Sequence, residues 1–174
     1  MSQTTYTLSQ LNGMDAPQFV QVLGGIYEHS PWVAEQAATQ RPFASAEALA
    51  AAMRNAVDTA GIEPQLKLVR AHPELAGKAA VSGELTAEST REQSGAGLNL
   101  CTPEEFARLQ ALNAQYNEKF GFPYILAVRG YDRHGIIENF SKRVENDRDT
   151  ELRTSLEQIH RIAGFRLADL ISAN

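Results

Sequence analysis

His72 is set apart from the other three histidines by its neighbours: an apolar stretch runs into Ala71-His72-Pro73-Glu74-Leu75, and Pro73 disfavours helix at the residue before it. A helix is therefore expected to end at His72. An imidazole at such a break can reach into a cleft and titrates near neutrality, as a general acid or base must. The same placement also suits a hydrogen-bonded structural histidine beside a turn.

Downstream, Ser89, Glu92 and Gln93 stand three and four positions apart. On a helix starting near Thr86 they share one face, which can either hold a ligand rich in amide and carbonyl groups or simply meet solvent. Arg166 lies seven residues after Ile159 and four after Ile162, on the apolar stripe of the last helix. A guanidinium there needs a buried carboxylate such as Glu92, a ligand with anionic or carbonyl groups, or a route to the rim. In residues 112–125 a helix runs into the bend Gly121-Phe122-Pro123-Tyr124, where bare backbone can approach a ligand or aromatics can merely pack. His134 and His160 show no paired-histidine spacing and Cys101 is the only cysteine, so no metal site is expected. Neither a glycine-rich phosphate loop nor a serine elbow is present.

The elements that must position these residues read as helices throughout, so the expectation is an all-α, single-domain bundle of about eight helices over residues 1–174. Asp15 caps a first helix carrying Phe19, Val20 and Leu23, and Ser30 before Pro31 caps a second. Ser45 starts an alanine-rich helix whose Leu49, Met53 and Val57 recur every four residues before Gly61 stops it. Thr102-Pro103-Glu104-Glu105 forms a capping box, followed at helical spacing by Phe106, Leu109, Leu112 and Tyr116. Asp132 and Asp149 cap two more helices, the last carrying Leu152, Leu156, Ile159, Ile162 and Leu170.

A chain of 174 residues can bury one core without staples. Its 16 basic and 21 acidic residues are spread along it, and the net charge of −5 argues against nucleic acid or an anionic membrane as partner and for a small molecule. One cysteine excludes an intrachain disulfide and suits a reducing cytoplasm. A polar N-terminus, no run of eighteen apolar residues and a C-terminal Ile-Ser-Ala-Asn without a peroxisomal address lead to the same expectation, a cytoplasmic and bacterial protein.

Several blocks, taken in order, resemble the 2-oxo-4-hydroxy-4-carboxy-5-ureidoimidazoline (OHCU) decarboxylase family over nearly the whole chain. They are Ser30-Pro31-Trp32-Val33, Arg41-Pro42-Phe43, His72-Pro73-Glu74-Leu75, Ser89 to Gln93 with Ala96-Gly97-Leu98, the run from Leu112 to Ile125, and Arg166-Leu167. Lys119-Phe120-Gly121-Phe122-Pro123 is the most specific; Tyr124 departs from the family's more usual phenylalanine. The resemblance implies an all-helical homodimer without cofactor or metal. Its catalytic residues would be His72, Glu92 and Arg166, and Pro73, Ser89, Thr90, Arg91, Glu92 and Gln93 would bind substrate. Tyr124, Ile125, Leu126, Ala127 and Val128 would add backbone contacts. It further implies decarboxylation of the ureidoimidazoline to (S)-allantoin in urate breakdown, coupled to urate oxidase and hydroxyisourate hydrolase. On that chemistry the substrate ring is its own electron sink, with His72 exchanging a proton and Glu92 sharing it or fixing the imidazole tautomer. Two other readings stand beside it: a hydrolase of a neighbouring ureide, with His72 and Glu92 activating water, and a non-catalytic helical scaffold dimer.

Overall fold

A computed structural model describes residues 4–76 and 83–172. Among them, nine α-helices and one 3-10 turn form the regular structure, with one parallel bridge pairing Tyr6 and Ile171. The residues group into two compact units, Met1–Ala71 with His160–Asn174, and His72–Ile159.

The first unit opens with α1 (Leu8–Gly13), closed by a reciprocal capping box between Thr7 and Gln10. Asp15 caps α2 (Ala16–Leu23) through its bond from the Gln18 N–H, and Ser45 caps α4 (Ala46–Asp58) through Ala48. Between them, α3 (Pro31–Ala38) begins at Ser30 without the expected side-chain cap. The Ser30 hydroxyl instead donates to the Glu28 carbonyl at 2.9 Å, so it serves the preceding turn, where His29 has a φ of 48°. The helix α5 (Ile62–Ala71) completes the run. Phe19, Leu23, Val33, Leu49, Val57 and Leu68 are fully buried in this core, which is why the spacing of apolar residues was a sound guide here.

The second unit contains α6 (Ala87–Gly95), the 3-10 turn Leu98–Leu100, α7 (Pro103–Phe120) and α8 (Arg133–Arg143). The capping box of Thr102 and Glu105 starts α7, and Gly121, at a φ of 78° that suits glycine, ends it. Asp132 caps α8 through the Gly135 N–H. The last helix, α9 (Arg148–Leu170), begins in this unit and ends in the first. Its cap is Asp147, not Asp149: the Asp147 carboxylate accepts from the Thr150 N–H at 2.8 Å and from the Thr150 hydroxyl at 2.9 Å, bonds that hold it below the usual carboxylate range. Both aspartates precede the helical pattern, and the one with an N–H and a hydroxyl three residues on is the one that caps. Phe106, expected in the stripe of α7, is 38% exposed.

Candidate active site

Where Pro73 forbids a further helical turn, α5 stops at Ala71 and His72 follows, 7% exposed. The loop of residues 72–76 runs through Ala76 at a φ of 52°, a conformation costly for alanine. Four side-chain amides hold it. From α6, Gln93 Oε1 accepts from the Ala76 N–H at 2.9 Å, and Gln93 Nε2 donates to the Glu74 carbonyl at 3.4 Å. From α7, Gln110 donates to the Ala76 carbonyl at 2.6 Å, Asn113 to the Leu75 carbonyl at 3.0 Å, and Asn117 to the Glu74 carboxylate at 2.6 Å.

Ser89 and Gln93, one helical turn apart, are buried at 3% and 6%, and Glu92 on the same face is partly buried. The polar face of α6 therefore packs inward. Thr90 and Arg91 lie on the exposed side. Thr90 nonetheless lines, with Ala76, Gln93, Leu98, Cys101 and Phe106, a cavity of about 470 Å³, a size that suits a small ligand. Burial, and then the charge of Glu105, pushes the Cys101 thiol up, so the cavity's cysteine is no ready nucleophile.

Residues 123–128 are buried and belong to no helix or strand. The Ile125 carbonyl accepts from Arg143, and the Ala127 N–H donates to Gln158 at 3.0 Å. Tyr124 stacks on Phe140 with ring centroids 3.8 Å apart and lies 4.6 Å beneath the Arg143 guanidinium. Its hydroxyl is taken up by Asn139, which accounts for a tyrosine in a place where the resemblance leads one to expect phenylalanine. Arg143 is in turn held by Glu151, fully buried, whose Oε1 accepts from Arg143 Nε at 2.9 Å and from the Tyr116 hydroxyl at 2.6 Å.

In the first unit Arg166, 5% exposed, donates to the Glu28 carboxylate at 2.8 Å and to the Gly25 carbonyl at 3.1 Å. Glu28 thus supplies the buried carboxylate for which the sequence suggested Glu92. The structure brings His72, Pro73, Ser89, Gln93 and residues 124–128 into one unit as buried or partly buried groups, with Glu92 beside them in sequence and on the same helix face. No group of three histidine, cysteine or acidic side chains suited to a metal ion occurs among the described residues.

Sequence reasoning missed Gln110, Asn113 and Asn117. Their spacing of three and four was a usable signal, since it puts three amides on one face of α7, interleaved with buried Leu109, Leu112 and Tyr116. Asn113 is 2% exposed, and its Oδ1 has no hydrogen-bond partner among the described residues.

Comparison with known proteins adds four findings. The model of the OHCU decarboxylase family matches residues 12–168. A 2-oxo-4-hydroxy-4-carboxy-5-ureidoimidazoline decarboxylase of Haloferax volcanii is 42% identical over 167 residues, 96% of this chain and 97% of its own length. The uric acid degradation bifunctional protein of a Bacillus species is 42% identical over 163 residues, 94% of this chain but 32% of its own length. Among solved structures, that of an (S)-allantoin synthase superposes with a TM-score of 0.78 at 31% identity, covering 95% of this chain and 54% of the other.

Proposed function

Because this chain belongs to the OHCU decarboxylase family, we propose that it is a carboxy-lyase that removes the carboxyl group of 2-oxo-4-hydroxy-4-carboxy-5-ureidoimidazoline as carbon dioxide and leaves (S)-allantoin. The observation that carries this reading is the extent of the match: the family model spans 12–168, and the Haloferax relative is covered over 97% of its length. That span also supports treating the whole chain as one functional domain.

The substrate has a hydroxyl and a carboxylate on one ring carbon, beside a carbon–nitrogen double bond. Loss of carbon dioxide breaks the bond to the carboxyl carbon. That electron pair forms a double bond to the neighbouring ring carbon, and the π pair of the carbon–nitrogen bond moves onto nitrogen, which takes a proton. The resulting enol ketonises: the hydroxyl loses its proton and the ureido-bearing carbon gains one. Since the ring accepts its own electrons, the protein has to supply orientation, desolvation and directed proton transfer.

In this reading His72 gives the proton to the ureido-bearing carbon, and delivery from one face sets the S configuration. The buried loop supports it, because a fixed backbone fixes the line along which the proton travels. Glu92 holds the imidazole in one tautomer, Ser89 and Gln93 border the substrate, and residues 124–128 offer it backbone. Arg166 carries over from the resemblance as a donor to the ureido or ring carbonyl. Its bond to Glu28 favours that role: an arginine already balanced by a carboxylate does not grip the leaving carboxylate and so does not stabilise the ground state. A homodimer in the cytoplasm belongs to the same reading, as does coupling to urate oxidation and hydroxyisourate hydrolysis. The bifunctional Bacillus relative supports the coupling, and among the described residues no helix is long and apolar enough to cross a membrane.

The test generates the substrate in place, from urate with excess urate oxidase and hydroxyisourate hydrolase, and follows allantoin by circular dichroism. Rapid appearance of optically active (S)-allantoin is expected with the parent protein and is lost in His72→Ala. Racemic product at the spontaneous rate from folded parent protein would overturn the reading and favour a ureide hydrolase or a scaffold.

A further inference from the structure

We infer that Asn113, with Asn117 one helical turn on, is a positioning residue of the reaction: it fixes the backbone from which His72 reaches the substrate. The inference rests on the reading of His72 as the proton-transfer group. It goes beyond that reading by assigning work to α7, which carries none of the residues expected at the site.

The loop of residues 72–76 has little to hold it in place by itself. It follows a helix end, includes an alanine in the left-handed region, and has no strand partner among the described residues. Its backbone groups are met by side chains instead: Gln93 at Ala76 and Glu74, Gln110 at Ala76, Asn113 at Leu75. Asn117 extends the set to the Glu74 carboxylate and ties itself to the Asn113 carbonyl at 2.9 Å. Amides suit this task because they are directional, carry no charge, and hold the same hydrogen bonds at every pH near neutrality. Three of the four come from one face of one rigid helix of 18 residues, so the loop inherits the rigidity of α7.

Asn113 is the informative member. It is almost fully buried, one of its two polar ends bonds the Leu75 carbonyl, and the other meets no partner among the described residues. The bond its amide makes goes to the carbonyl of a buried residue of the loop, so the side chain acts on the loop backbone. What asparagine supplies and leucine cannot is a donor aimed at one carbonyl, three residues from the His72 ring. Proton transfer tolerates little error in placement, and about 1 Å of displacement costs on the order of a hundredfold in rate.

The decisive variant is Asn113→Leu, with Asn117→Leu as the second, because Asn117 is only partly buried and its replacement leaves the centre of the packing alone. In the in-place substrate assay, Asn113→Leu is expected to remain folded at the assay temperature while kcat falls by about tenfold or more and KM stays within about threefold. Asn117→Leu is expected to show the same split with a smaller loss. A folded Asn113→Leu protein with kcat within about twofold of the parent overturns the inference. So does a variant that melts early but turns over normally while folded, which would mark a purely structural residue. If Asn113→Leu fails to fold, Asn117→Leu decides by the same criteria. His72→Ala, run in parallel, separates the two ideas: turnover surviving in it removes the reading of His72, whereas its loss beside a normal Asn113→Leu removes the positioning role alone.

Discussion

Replacing Glu151 by glutamine probes the support beneath residues 124–128 with almost no change of shape. Glu151 Oε1 accepts from Tyr116 and Arg143, and Oε2 accepts from Asn146 at 2.9 Å. A glutamine oxygen at the first position keeps two of those bonds. The amide nitrogen at the second then faces the Asn146 amide, donor against donor. The larger loss is electrostatic: Arg143, 6% exposed, keeps its positive charge against neutral acceptors, among them the Ile125 carbonyl and, at 3.4 Å, the Ser155 hydroxyl. Removing one partner of a buried pair costs about 3–5 kcal/mol. For a chain of this size each kcal/mol shifts the melting temperature by about 2–4 °C, so Glu151→Gln should melt about 6–20 °C below the parent.

Thermal unfolding followed by far-ultraviolet circular dichroism measures that shift, and activity measured well below the melt reports on the segment itself. A double variant, Glu151→Leu with Arg143→Met, completes the argument. Apolar replacement of a buried pair is often neutral or stabilising, so the double variant should recover most of the melting temperature. It should not recover activity, because the Ile125 carbonyl has lost its donor. A Glu151→Gln protein that melts within about 2 °C of the parent would refute the reasoning, since it would mean that no uncompensated charge was left behind.

Three further outcomes are expected. Tyr27, Tyr116 and Tyr124 are each at most 3% exposed, and burial, joined in Tyr116 by the bond to Glu151, pushes all three phenols well above their ordinary range. Their folded pKa values are raised, so this stability is complete below about pH 10 and is lost as pH rises beyond it, by about 1.4 kcal/mol per pH unit for each phenol. Urea midpoints should fall steeply above about pH 10, and phenolate absorbance for these three should grow only as helicity is lost; growth in the native protein would contradict the burial. Glu28→Gln should lower the melting temperature by a similar 6–20 °C, roughly, because it takes the carboxylate from the buried Arg166 guanidinium; a melt unchanged in both Glu28→Gln and Arg166→Leu would show that the pair contributes nothing. Exhaustive chelation should leave the rate of (S)-allantoin formation unchanged, and a loss restored by added zinc would move the chemistry to a hydrolytic metal site.

Helix starts and helix faces were legible because they depend on neighbours in sequence. Thr102 and Glu105 read as a capping box and form one, and the stripe of Leu49, Met53 and Val57 is buried throughout. The helix Leu8–Gly13 was missed because six residues are too few for periodicity, although Thr7 and Gln10 carried the capping pattern that marks it. At the last helix two aspartates, Asp147 and Asp149, stand close together in sequence, and only the geometry of Thr150 decides which of them caps.

The site was legible in another sense: its groups could be named, but not what holds them. His72 stood out because proline acts on its immediate neighbour, and Arg166 because a charge on an apolar stripe breaks a local pattern. The partners that fix these residues lie far along the chain. Glu28 is 138 residues from Arg166, and Asn113 is 38 from the carbonyl it bonds. Neither residue breaks any local rule, since a glutamate in a turn and an asparagine on a helix look like ordinary surface. Burial alone changes their meaning, because it strips away the water that would otherwise satisfy them and leaves one specific partner in its place. A catalytic side chain can therefore be found from sequence by the rule it breaks. The groups that aim it break none until the chain has folded around them, which is why the amide face of α7 becomes recognisable only with the loop it holds.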